Sequence, residues 1–131
     1  MPGHAGHETA DYTVENLPDL VKEALSAVLE ADKEPAPSTI SETLIKAISS
    51  FDDNIGRAFL QLFPDQEALA KMSDEEIKST INDGGSNAAI VVKCLRGTTV
   101  LIAISDPAKA NLWVASLGDC SASTYPLICA T

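Results

Sequence analysis

The sequence is poor in positive charge: Lys and Arg total 9 against 19 Asp and Glu, a formal net charge of -10. The acidic residues are spread along the chain, and a field of that sign repels phosphate backbones and anionic lipid, which are held chiefly through Lys and Arg. Nucleic acid and membrane are therefore excluded as expected partners. Long apolar runs are missing too, since no stretch approaches the ~18 residues of a membrane span. Met1-Pro2-Gly3-His4-Ala5-Gly6-His7-Glu8 lacks the basic-then-apolar pattern of a secretory leader. A cytoplasmic location is the expectation, with a mitochondrial one left open. Cysteine is scarce, and Cys94, Cys120 and Cys129 are odd in number and widely spaced, unlike a disulfide framework or a zinc site of paired C-x-x-C ligands. Their apolar neighbours predict buried free thiols. There is no internal repeat and no low-complexity tract.

What is present fits one domain of 131 residues, 45% hydrophobic and 21% charged, enough to bury a core. From Glu8 to Ala31, Leu17, Leu20, Val21, Leu25, Val28 and Leu29 recur at helical steps. Pro18 predicts either a kink or a second helix starting there. After the connector Asp32-Lys33-Glu34-Pro35-Ala36-Pro37, Thr39 and Glu42 form a capping-box pattern. Ile40, Leu44, Ala47, Ile48, Phe51, Ile55, Phe59, Leu62 and Phe63 then hold helical spacing up to Pro64. Ser73-Asp74-Glu75-Glu76 is a second capping box, before a short helix ending near Asn82-Asp83-Gly84-Gly85. Residues 86–95 read equally as a buried strand or a short helix. Thr98-Thr99-Val100-Leu101-Ile102-Ala103-Ile104 is a strand by its β-branched content, Leu112 to Leu117 is its antiparallel partner, and Cys120 to Tyr125 is a candidate third strand. The reading is α+β: two long antiparallel helices with one or two short ones (about 7–95), packed on an antiparallel sheet of about three strands (about 97–125).

Three stretches carry a family resemblance. Gly3-His4-Ala5-Gly6 before a helix resembles the F-D-G-H-x-G signature of type 2C metal-dependent serine/threonine protein phosphatases. Gly97-Thr98-Thr99-Val100 resembles that family's G-x-T-A strand opening, and Leu112 to Ala122, through Gly118-Asp119, resembles its L-x-V-A-N-x-G-D-S-R-A strand. The order matches, and the helices between are similar to those of the pyruvate dehydrogenase phosphatase branch. The resemblance implies part of an αββα fold, in a chain about half the length of a complete catalytic domain of the family.

It also implies a chemistry and a deficit. Two Mg or Mn ions, held by several carboxylates, lower the pKa of a bridging water and aim it at phosphorus. The family's bridging Asp corresponds here to Pro2, which offers no side-chain oxygen. The strand with the first acidic ligand and the phosphate-binding Arg would precede Met1, and the later Asp-Gly and Asp-Asn motifs would fall beyond Thr131. What survives is Gly3 and Asp119 as metal-site candidates and His4 at the general-acid position, so His4 and Asp119 stand as relic catalytic candidates. No cofactor is expected, Mg or Mn entering only if an active site survives.

Each candidate has a structural alternative. His7 and Glu8 with Asp11 could hold a metal, or simply furnish the first turn of a helix with dipole-matching acids. Asp119 is a relic ligand or a turn residue. Cys120 has no base that can be placed beside it from sequence and sits among apolar neighbours, which favours a structural role. Adjacent Asp52 and Asp53 point about 100° apart on a helix and fit a solvated face. Tail residues 123–131 depart from the family pattern and read as an apolar packing segment or an altered chain end.

Both faces of Val100 to Ile104 are apolar, so helices can cover only one, and a homodimer through the other is expected. The function expected is that of a catalytically impaired binding or self-associating module, with a protein partner as a further possibility. One alternative is a residual phosphatase whose site is completed across two chains by His4, His7, Glu8 and Asp119. Another is a truncated gene product without a phosphatase role.

Overall fold

Thr9, Thr13, Leu17 and Val21 are spaced four residues apart and all four are buried, so they form one row along a helix. That helix, α1 (Glu8–Ala31), opens a computed structural model that describes residues 6–124. It runs through Pro18, which is exposed, and no second helix starts there. An interior proline costs a helix about 3 kcal/mol, but the buried row continues across it from Leu17 to Val21, and packing on both sides holds one continuous element.

The second long helix, α2 (Pro37–Leu60), buries Ile40, Leu44, Ala47, Ile48 and Phe51. It packs against α1 through a five-residue connector. Tyr12, in the second turn of α1, stacks on Phe51 late in α2 with ring centroids 5.5 Å apart, so the two helices run antiparallel. The expected capping box at Thr39 and Glu42 is not the start of α2. Ala36 is the N-cap and Pro37 occupies the first turn, where its missing N–H costs nothing and its fixed φ suits a helix. Thr39 lies inside the helix and its carbonyl accepts the Thr43 hydroxyl at 2.7 Å.

Three short helices follow, one more than the sequence predicts at most. α3 (Gln66–Leu69) is capped by the Asp65 carboxylate, which accepts from the N–H groups of Glu67 and Ala68. α4 (Asp74–Ile81) begins with the expected capping box, Ser73 and Glu76 exchanging hydrogen bonds. The ambiguous stretch is α5 (Ser86–Leu95), which packs on α1, α2 and α4 and buries Val91. The Asp83 carboxylate settles it as a helix by accepting from the N–H groups of Gly85, Asn87 and Ala88, donors that a helix N-terminus leaves unpaired. Among the described residues no helix is long and apolar enough to cross a membrane.

The chain divides into two compact units at Thr98 and Thr99, and the second holds the strands β1 (Val100–Ser105) and β2 (Leu112–Leu117). They pair antiparallel with Ile102 opposite Ala115 and Ala103 opposite Val114. The turn between them is organised by Asp106, whose carboxylate accepts the Ala110 N–H at 2.7 Å and the Asn111 amide at 2.8 Å. Gly118 closes the far end with φ +80, and a Cβ there would meet the Thr99 methyl at 2.8 Å, so glycine is required twice over.

The third strand is not formed where the structure describes it. Cys120 to Thr124 is irregular, and the Ser116 hydroxyl donates to the Cys120 carbonyl at 2.7 Å, turning the chain back on its own strand; Tyr125 lies outside the described residues. Among the described residues the fold is thus α+β with five helices and a two-stranded sheet.

Leu44 is 2% exposed and its neighbour Ile45 is 63% exposed, which makes a matched pair. Leu44→Ala should cost about 3 kcal/mol in urea unfolding, and Ile45→Ala less than about 0.5 kcal/mol.

Candidate functional site

Helix ends carry partial charges, positive at the N-terminus and negative at the C-terminus. The start of α1 and the end of α5 meet, so opposite ends of two dipoles face each other. Glu8, in the first turn of α1, pairs with Arg96, the residue that closes α5. The guanidinium holds the Glu8 carboxyl below its ordinary range. The buried Thr9 hydroxyl lies 2.9 Å from the Arg96 carbonyl and 3.2 Å from that of Lys93, supplying a donor to carbonyls that a helix end leaves unpaired. Lys93 sets its ammonium 4.2 Å from the centre of the Tyr12 ring, the ring that also stacks on Phe51.

Two of the metal candidates belong to this cluster. His7 is the N-cap of α1, and its exposed Nδ1 lies 2.6 Å from the Asp11 carboxylate. That hydrogen bond first, and then the charges of Asp11 and Glu8, raise its pKa above the ordinary value. Glu8 is engaged by Arg96. Each acidic group near His7 is thus answered by a cation or an imidazole of the same chain, the arrangement of a helix terminus and not of a hard-oxygen metal cage. Gly3 and His4 lie outside the described residues.

Asp119 follows β2 in the hairpin unit and is exposed beside Gly118. Among the described residues no group of three or more His, Cys, Asp or Glu side chains could hold a metal ion. Asp52 and Asp53 are both exposed on α2, as a solvated face requires. The expectation of buried thiols fails: Cys94 is exposed on the outward side of α5, and Cys120, in the irregular segment after β2, is only half-buried. Cys129 lies outside the described residues.

Sequence reading missed Thr9, Lys93 and Arg96 as a cluster. Thr9 and Arg96 are 87 residues apart, and no local pattern links them. The acidic first turn of α1 and the basic end of α5 were the available signal, being the charges that a pair of opposed helix ends attracts. No protein-family profile, curated protein or solved structure matches the chain.

Two measurements check this geometry. Thr9→Val should lower stability by about 1–2 kcal/mol in urea unfolding, because it leaves the carbonyls of α5 without their donor. The His7 pKa is raised on folding, so the stability from its charged form is fully present below the unfolded value of 6.5 and is lost as pH rises through the folded one. The wild-type advantage in melting temperature over His7→Gln should accordingly shrink as pH rises above 6.5.

Proposed function

We propose that this chain is a non-catalytic, type 2C phosphatase-like module that associates with a second copy of itself through its β-hairpin. The observation that carries the reading is the outward face of that hairpin. Leu101, Leu112 and Val114 are 42%, 54% and 46% exposed. They share one side of the sheet with Ala103, because Leu101 stands opposite Ser116, Ala103 opposite Val114 and Ser105 opposite Leu112. A lone two-stranded sheet is marginal in water without further strands or a covering layer. Strands of Val, Leu, Ile, Ala, Trp and Ser, with no charge or proline along either edge, lack the devices that keep edges apart.

Charge favours the hairpin over the helices as the place of contact between two copies. Residues 6–98 carry 17 Asp and Glu against 8 Lys and Arg, a net of -9, and residues 99–124 carry Asp106, Lys109 and Asp119, a net of -1. Two copies meeting through their helices bring strong like charge together, whereas two hairpins meet almost neutral. Catalysis is disfavoured because Glu8 is spent on Arg96, His7 on Asp11, and Pro2 stands where the resembled family has its bridging Asp.

Sedimentation velocity of the full chain at micromolar concentration should show a dimer, and a stable monomer overturns the proposal. Val114→Asp should shift the protein to monomer, while Ile45→Asp, on the exposed side of α2, should not. No turnover of p-nitrophenyl phosphate is expected with Mn. Metal binding by calorimetry, together with an activity lost in Asp119→Ala, would establish the metal-dependent phosphatase instead.

A further inference from the structure

We propose that Asp83-Gly84 is a site of self-modification: when α5 opens, the Gly84 nitrogen closes a succinimide on the Asp83 side chain, and the isoaspartate that forms keeps α5 from closing again. This chemistry belongs to the helical unit alone and stands whether or not two copies associate.

An aspartyl side chain can be attacked by the backbone nitrogen of the residue that follows it, and glycine allows the approach because it has no Cβ to stand in the way. Asp83-Gly84 is the single Asp-Gly step of the chain, and there is no Asn-Gly step, so the reaction has one favoured place. Both residues are exposed, and Gly84, at φ +71, has open space where a Cβ would stand. Water is the only other reactant. The Gly84 nitrogen bonds to Asp83 Cγ, the Cγ–OH bond breaks, and the hydroxyl leaves with the amide proton as water. A second water then opens the ring at either carbonyl. Opening at Cγ returns aspartate, and opening at the backbone carbonyl gives isoaspartate, whose main chain runs through Cβ and Cγ.

The folded chain holds the carboxylate back from this reaction. Oδ1 accepts the N–H groups of Gly85 at 2.8 Å and Ala88 at 3.0 Å, and Oδ2 accepts that of Asn87 at 3.2 Å. These bonds, that of Gly85 foremost, hold the Asp83 carboxyl below its ordinary range. It therefore stays ionised, and without a proton its oxygen cannot leave as water.

The same contacts tie the reaction to α5. A ten-residue helix is too short to stand alone. α5 is held by packing on α1, α2 and α4, by its buried Val91, and by the Thr9 hydroxyl at its far end. Loss of that hold frees the N–H groups and, with them, the carboxylate. Isoaspartate has one more carbon in its main chain and a carboxylate set directly on Cα, so it no longer fits the three N–H groups that a helix N-terminus leaves unpaired. The step is thus a one-way release of α5.

The test follows Asp83 in the full chain by peptide mapping during incubation in heavy-oxygen water at neutral pH, since each ring opening writes one heavy oxygen into the residue. Label should enter at least about tenfold more slowly in the folded chain than in the chain unfolded by urea, because only the open form reacts. Thr9→Val and Val91→Ala, which loosen α5 at its end and its middle, should each speed labelling of the folded chain about tenfold and leave the rate in urea unchanged. Cys94→Ser, on the exposed side of the same helix, should alter neither rate. The isolated isoaspartyl form should exchange its α5 amides faster than the unmodified chain. Absence of label at Asp83 in urea would overturn the site. Equal rates in the folded and unfolded chain, or folded rates indifferent to both loosening variants, would overturn the control by α5, and an isoaspartyl form with unchanged exchange in α5 would overturn the release.

Discussion

Four side chains of α1 set one turn apart, Thr9, Thr13, Leu17 and Val21, are all buried, and the helical unit is arranged by what covers that row. The lower half is apolar, and the buried stripe of α2 runs beside it in the opposite direction. The upper half is polar, and a buried hydroxyl must find a partner or cost on the order of 1–3 kcal/mol. Thr13 satisfies itself locally, its hydroxyl donating to the Thr9 carbonyl at 2.7 Å. Thr9 cannot, and reaches across to the end of α5. One row thus fixes two neighbours by two different forces, and it tolerates Pro18 because that residue faces away.

The same meeting point decides the chemistry of the first turn. A carboxylate at a helix N-terminus is stabilised by the dipole, and Arg96 at the opposed C-terminus is stabilised by its own, so their pairing is the natural consequence of two helix ends facing each other. A metal site asks the reverse: several acids held together against their mutual repulsion until a cation arrives. Glu8 and His7 look like ligands in a string of letters. In space their charges are already met within the chain, by Arg96 and Asp11.

How far the sequence is legible follows from the range of each force. Both long helices, the capping box at Ser73, and β1 and β2 are written in local spacing and were readable there. Where two local signals compete, the structure decides: Pro37 starts α2 ahead of Thr39, and the Asp83 carboxylate turns residues 86–95 from an undecided apolar run into a helix. Asp65 carried the same capping signal for α3 and went unread because the helix it opens is only four residues long. The third strand was a pattern without a partner, and the Ser116 hydroxyl takes up the backbone of Cys120 instead. Of the candidate site, residue types were legible but company was not, since the contacts that define it span 84 and 87 residues.

The hairpin poses the problem that the helical unit solves internally. Inside the helical unit, apolar stripes face one another and opposed helix ends cancel their charges. On the hairpin, alternation places Val100, Ile102 and Ile104 on one side with Ala115 and Trp113, and leaves Leu101, Val114 and Leu112 on the other. A two-stranded sheet that is apolar on both sides has more surface to bury than a six-residue pair of strands can cover by itself. The charge pattern sets the two surfaces apart, because residues 6–98 carry a net of -9 and residues 99–124 a net of only -1. The feature that reads from sequence as the remnant of a catalytic motif, Gly118-Asp119, sits directly after β2, with glycine closing the hairpin against Thr99 and the acid exposed.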